Sequence, residues 1–398
     1  MMEEPRGEVL ENGRPGLGRW GRAGVVAAVL ALGAGALTWP QTADPAPLPV
    51  AAAATTPPSG TAGRPYQAGL TKDRRIRLGP PVEAEGGLPR LPTALPGRLS
   101  PDGAVPLGED PVARALLLIQ ETREVQTTGP VFALGDDGRF RELDTTSLRP
   151  VADRHGNVQT LLDDTALSPD GRRAAFAQRD EVAVLDLTTA RLHRWRLPGY
   201  NEVVSWLPDS ATLLVEQEEH AYLLDLTTGE ARRQPYQGFG TVAGGPGLHR
   251  LAGADLTSWD RAGRRLSRTV ARPVVGVSPA WAKAAGPEWM GPGWARGGRI
   301  ARDVFGAGQP RPYTDVFEAE ALVVLDAATG RLDAALVHQG VDRMKGCCGV
   351  LGWYDAGTVM FTSSSAAAHR LLAWRVGTGE VFRVTELPLG TVVALGPL

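Results

Sequence analysis

From about residue 113 onward, apolar runs of four to seven residues alternate with turns built from Gly, Pro, Asp and Asn. That period and punctuation predict short β-strands joined by tight turns, an all-β domain. One phrase recurs: an apolar run, a polar turn, then a short alternating run. It reads Val131-FALGDDG-Arg139, Val184-LDLTTA-Arg191, Leu223-LDLTTG-Glu230, Ser258-WDRAG-Arg264, Val324-LDAATG-Arg331 and Leu372-AWRVGTG-Glu380. The turn position holds Gly138, Gly229, Gly263, Gly330 and Gly379, and Ala190 in the second copy. A hairpin that needs positive φ explains the glycines. Ala190 is then expected in a strained or differently typed turn.

A second phrase precedes several of these hairpins: Leu167-SPDG-Arg172, Trp206-LPDS-Ala211 and Trp353-YDAG-Thr358. In Pro-Asp-Gly the proline presets φ, the aspartate bonds the local backbone and the glycine tolerates the left-handed region. One unit is therefore strand, turn, strand, loop, strand, Gly turn, strand. Four antiparallel strands repeating at roughly 40 residues predict a β-propeller. Six turn phrases predict six blades. The wide gap between Gly263 and Gly330 is read as an insertion, or as a seventh, degenerate blade. The first unit, starting at Ala113-RALLLI-Gln120, lacks its own innermost strand. The final apolar run, Thr391-VVAL-Gly396, is expected to fill that place and close the ring. A β-sandwich would share the alternation but not the repeated phrase. Val203, Val204, Trp206, Leu351 and Trp353 are expected to be inner-strand core.

The start of the chain has a different character. Ala23 to Trp39 carries no charge and one polar side chain, Thr38. As a helix it spans about 26 Å, the short end of a membrane-crossing segment. Arg14, Arg19 and Arg22 precede it and no Lys or Arg follows until Arg64, which places the N-terminus in the cytoplasm and the rest outside. A cleaved signal peptide, with Ala34-Gly35-Ala36 offering small residues, is the competing reading. The expected layout is a cytoplasmic tail over 1–22, a transmembrane helix or signal anchor over 23–39, a Pro/Ala-rich linker over 40–112 and the propeller over 113–398. Within the linker, Leu91, Leu95 and Leu99 suggest that its later part lies along the folded domain.

Composition narrows the function classes. A formal charge of −2 argues against a nucleic-acid binder, which needs a positive field. Two cysteines exclude a disulfide-stapled miniprotein and a four-cysteine zinc site. The six histidines form no HxH or HExxH pair, no GxSxG elbow occurs, and no cofactor is called for.

The LSPDGRRAAFA phrase at 167–177, followed by VAVLDLTTARLHRW, resembles repeats of TolB-like and WD-repeat-like bacterial propellers. The layout resembles uncharacterised actinobacterial membrane proteins with such a propeller behind one N-terminal helix. Such proteins act mostly as interaction platforms, and the resemblance implies that here.

Two constellations could carry function. Cys347 and Cys348 are neighbours between Gly346 and Gly349. Outside the cytoplasm they could close a vicinal disulfide; reduced thiols packed at a strand start are the alternative. Alignment of Trp353 on Trp206 puts the pair where Tyr200 and Asn201 sit, in a loop at the mouth of the central channel. Trp281, Trp289, Trp294 and Tyr313, with Arg296 and Arg299, fall in a Gly/Pro-rich insertion expected to be a loop, the first candidate for a partner surface. The expected function is a non-enzymatic extracytoplasmic binding scaffold at the cell envelope, contacting an envelope protein or a small ligand. A propeller enzyme, a hydrolase, lactonase or quinoprotein-like dehydrogenase with its site at the channel mouth, is the alternative.

Overall fold

The protein is described from a computed structural model covering residues 66–67, 69–70, 74–122, 129–152, 156, 158–244, 247–252, 255–271, 288–305, 321–338 and 348–398. Residues 23–39 lie outside this set. Among the described residues no helix is long and apolar enough to cross a membrane.

In chain order the first elements are β1 (Tyr66–Gln67), β2 (Gly69–Leu70), β3 (Ile76–Leu78), the single turn α1 (Val82–Glu85) and β4 (Val105–Pro106). Blade 1 begins with β5 (Ala115–Glu121), β6 (Val131–Gly135) and β7 (Phe140–Glu142). Next come β8 (Arg173–Asp186) and β9 (Arg191–Tyr200). Blade 2 is β10 (Val203–Trp206), β11 (Thr212–Glu216), β12 (Ala221–Asp225) and β13 (Ala231–Arg233). Blade 3 is β14 (Thr241–Gly244), β15 (Gly247–Ala252), β16 (Asp255–Asp260) and β17 (Arg265–Val270). Blade 4 is β18 (Glu288–Arg296), β19 (Arg299–Phe305), β20 (Ala321–Asp326) and β21 (Leu332–Val337). Blade 5 is β22 (Val350–Trp353), β23 (Thr358–Ser364), β24 (His369–Arg375) and β25 (Glu380–Leu387), and β26 (Thr391–Leu395) ends the chain.

The sheets form an all-β propeller in which five carry four or more strands, so five blades replace the expected six or seven. The unit that carries the SPDG phrase accounts for the difference. It is a two-stranded β8–β9 sheet joined to the preceding segment by the single bridge Leu167↔Ala174. Its faces are nonetheless buried on both sides. Phe176, Ala183 and Leu185 pack toward blade 1, and Ala175, Val182 and Val184 toward blade 2. The unit therefore acts as a wedge between those blades.

The ring closes as the sequence suggested. β26 pairs antiparallel with β5, Val393 opposite Ile119 and Ala394 opposite Leu118, and supplies the innermost strand of blade 1. Leu116, Leu117, Leu118 and Ile119 are fully buried. Without β26, the inward row of β5 backbone groups would be left unpaired at the centre, at about 1–3 kcal/mol each.

The described residues between Tyr66 and Leu107 form a strap on the folded domain. β3 pairs parallel with β21, β1 antiparallel with β25 and β4 parallel with β7. Bridges Arg90↔Arg383 and Arg98↔Glu386 tie the stretch between. The outer edges of blades 4, 5 and 1 are thus covered in turn, which removes three templates for edge-to-edge association. Leu88, Leu91, Leu95, Leu99 and Leu107 are buried beneath it. One ionic lock holds the strap. Glu85, 1% exposed, accepts from Ser363 Oγ at 2.8 and 2.9 Å and lies 3.4 Å from Arg370. Arg370 and Arg383 both reach Glu386 at 3.1 Å.

The turn phrase behaves as its chemistry requires. Gly138, Gly229, Gly263, Gly330 and Gly379 all have positive φ, and Ala190 holds φ 55 in the same position. In the copies that carry it, the phrase's aspartate fastens the turn: Asp186, Asp225 and Asp326 Oδ1 each accept two backbone N–H groups. Thr329 and its backbone N–H hold the Asp326 carboxyl below the usual carboxylate range. Ala190→Gly should relieve the left-handed strain and raise stability by about 1 kcal/mol. The urea midpoint should rise with an unchanged slope.

Candidate functional site

The loops that enter the innermost strands gather on one face of the ring, and buried polar side chains crowd there. Three strands carry a buried glutamine or glutamate where an apolar run stops: Gln120 in β5, Gln178 in β8 and Glu216 at the end of β11. Gln120 Nε2 donates to Gly129 O at 2.9 Å while its Oε1 accepts from Leu162 N at 2.8 Å. Gln178 does the same with the O and N of Arg149, at 2.8 and 2.9 Å. Glu216 Oε1 accepts from Thr241 N at 3.1 Å. All three are at most 5% exposed. Sequence reasoning missed this device, although its signal was present: an apolar run ending in Gln or Glu in ALLLIQ, RAAFAQ and TLLVE. Each side chain clasps an incoming loop, so the face is rigid before any partner arrives.

Tyr200 and Asn201 were expected as channel-mouth residues. Asn201 is fully buried. Its Nδ2 donates to the carbonyls of Gln178, Glu181 and Leu197 at 2.9–3.0 Å, and its Oδ1 accepts from Gln217 Nε2 at 2.8 Å. It holds loops together and has no atom left for a ligand. Tyr200 ends β9 with the Arg179 guanidinium 4.9 Å over its ring. Cys348 occupies the corresponding loop before β22; it is fully buried, at φ 83, and disulfide-bonded. Cys347 lies outside the described residues.

The Trp/Arg group falls differently from expectation. Trp281 and Tyr313 lie outside the described residues, and Trp289 and Trp294 sit in β18, a strand rather than a loop. Trp294 Nε1 donates to Val350 O at 2.9 Å, and Trp353 Nε1 donates back to Trp294 O at 2.8 Å. Trp206 makes the same move toward its preceding neighbour, donating to Ala166 O at 2.8 Å. These tryptophans staple adjacent inner strands. Arg299 lies 5.1 Å over the Trp353 ring and bonds Ala356 O, while Arg296 donates to Trp353 O at 3.2 Å. Trp294, Arg296 and Arg299 therefore share one cluster on Trp353 and serve the seam between blades 4 and 5. Val203, Val204, Trp206 and Leu351 are buried as expected, whereas Trp353 is part-exposed.

A cleft of about 540 Å³ opens between the strap and blade 5, lined by Arg98, Asp102, Glu121, His369, Arg370 and Glu386 among others. His369 is its most distinctive group. Burial pushes its pKa down to about 4, and Nδ1 lies 3.3 Å from both Pro388 O and Thr391 Oγ1. The imidazole is therefore neutral at physiological pH, beside the strand that closes the ring. No group of three or more His, Cys, Asp or Glu that could hold a metal occurs among the described residues.

No protein-family model matches the chain, and no curated protein matches it. Among solved structures it is similar to TolB from Acinetobacter baumannii, at 13% identity over 70% of this chain and 65% of that one, with a TM-score of 0.45. It is also similar to the β-propeller domain of the Trilobed protease from Pyrococcus furiosus, at 17% identity, 69% and 82% coverage and a TM-score of 0.39. Hydrazine synthase of Kuenenia stuttgartiensis follows at 14% identity, 59% and 69% coverage and a TM-score of 0.41. These similarities concern fold and bring no activity to this chain.

His369 gives this site a pH signature. Its folded pKa, about 4, lies below the ordinary 6.5, so unfolding takes up a proton between those values. The stability it confers is complete above 6.5 and is lost as pH falls toward 4, a swing of about 3 kcal/mol. His369→Asn keeps a donor near Pro388 O and cannot titrate there. Urea unfolding of the variant should lose less stability than wild type between neutral pH and about pH 4.

Proposed function

We propose that this chain is a binding scaffold displayed outside the cytoplasm at the bacterial cell envelope, contacting an envelope protein or a small ligand and catalysing no reaction of its own. The observation that carries the reading is the state of the channel mouth. Gln120, Gln178, Asn201, Glu216 and Gln217 spend their polar atoms on the backbone of neighbouring loops, which yields a fixed surface rather than free reactive groups. A rigid ring with a preordered face binds without the entropy cost of ordering loops.

The disulfide at Cys348 supports the location, because such bonds persist in oxidising compartments. With two cysteines in the chain, its proposed partner is the neighbouring Cys347. The apolar run 23–39, with arginines just before it and no Lys or Arg after it until Arg64, supports a single-pass anchor whose propeller faces outward. Release after signal cleavage would leave the propeller on the same side.

An epitope appended after Leu398 tests the location. Antibody should reach it on spheroplasts without permeabilisation; detection only after permeabilisation overturns the envelope reading. Purified protein should carry no stoichiometric calcium and no absorbing quinone, and finding either would turn the reading toward a dehydrogenase.

A further inference from the structure

The seam between blades 2 and 3 is built unlike its neighbours. Its buried apolar cluster is four leucines, Leu207, Leu214, Leu223 and Leu248, with Tyr236 packed against them. Farther from the axis, the face of blade 3 opens into a cleft of about 470 Å³. That volume falls in the range of small-molecule sites, about 300–1,000 Å³.

The walls of this cleft have a definite chemistry. Tyr236 and Trp259 form an aromatic floor, with ring centroids 4.5 Å apart and planes at 38°. Arg250, Arg265 and Arg268 bring three guanidinium groups, and Asp255 engages Arg268 at 2.7 Å. Arg250 and Arg265 form no ion pair among the described residues, so the cleft holds an excess of positive charge.

Unsatisfied polar atoms cluster at the same place. Among the described residues, Arg250 Nε and Gln234 Oε1 are buried without a hydrogen-bond partner, and the buried Tyr236 hydroxyl lies beside that of Thr241. Thr241 sits opposite Arg250 in the β14–β15 ladder. Gln234 is 3% exposed, and its Oε1 lies 3.8 Å from where a Cβ on Gly263 would stand, at the rim of the cleft. Burial, with Glu216 adding to it, keeps the Tyr236 hydroxyl protonated, so it is a donor. Buried donors and acceptors without partners are costly, about 1–3 kcal/mol each, and rare unless another molecule satisfies them.

We propose that this inter-blade cleft binds a small organic anion with a flat, aromatic body: its carboxylate or phosphate on Arg250 and Arg265, its ring against Trp259, and an N–H or O–H donor toward Gln234. The site rests on the reading of the chain as a binding module, and it narrows the ligand class. It lies on the flank of the ring, away from the channel mouth. A failed test here therefore leaves the scaffold reading in place, while cytosolic location would leave this site in place.

Calorimetric titration of the full chain tests it with three probes: indole-3-carboxylate, phenyl phosphate and neutral indole-3-carboxamide. The two anions should bind saturably, and the carboxamide at least about tenfold more weakly, the loss expected for one charge-assisted contact. Arg250→Met and Arg265→Ser should each weaken the anions by about tenfold. Arg265 is exposed on the edge strand β17, so its variant carries the test if Arg250→Met does not fold. Absence of saturable binding by all three probes, equal binding of anion and carboxamide, or anion binding unchanged in Arg265→Ser would each overturn the proposal.

Discussion

One ladder, between the last strand of the chain and a strand some 270 residues earlier, determines whether the other contacts can exist. A propeller blade is a twisted sheet with two apolar faces, and neither can be buried without a neighbour. The clusters show this directly: each draws its residues from adjoining sheets rather than from within one. Opening the ring at β5–β26 would expose the inner edge of blade 1. It would also separate Leu116 and Ile119 from Leu371 and Ala373 of blade 5, which share one core with them. Closure is therefore a long-range pairing on which many local contacts depend, and slow, cooperative folding follows from that topology.

The strap adds a second constraint from outside. An edge pairing of two or three residues is weak by itself, but three of them, two parallel and one antiparallel, are spaced along a chain whose leucines are buried and whose Glu85 is locked to Ser363 and Arg370. Breaking the lock would leave a buried carboxylate or guanidinium unpaired, which is far costlier than losing a surface pair. Among the described residues no strand covers the outer edges of the wedge and of blades 2 and 3, and the cationic cleft lies on blade 3. Protection and accessibility thus divide the ring into two arcs.

Much of this was legible in the residues. The Gly turn phrase identified hairpins because positive φ penalises any side chain, and Ala190 departs in φ no further than its chemistry demands. The final apolar run could be assigned to ring closure because the first unit was one strand short. Other features left little trace. The strap's strands are too short for any period, and its prolines resemble a linker. Trp294 was hidden in a Gly-Pro-Gly context that reads as loop yet forms the bulged strand β18. The SPDG unit looked like a full blade, but its ladder to the preceding segment is one bridge. The clasping glutamines were visible only as polar ends of apolar runs. The cationic cleft depends on residues from three separate strands and two loops, which no linear pattern brings together.

Native-state hydrogen exchange of the amides in residues 391–395 tests ring closure most directly. If β26 is the innermost strand of blade 1, its hydrogen-bonded amides should exchange only through global unfolding, with the same denaturant dependence as those of β11 in blade 2. Exchange at open-chain rates while β11 stays protected would show the last strand to be unpaired, and would contradict the account.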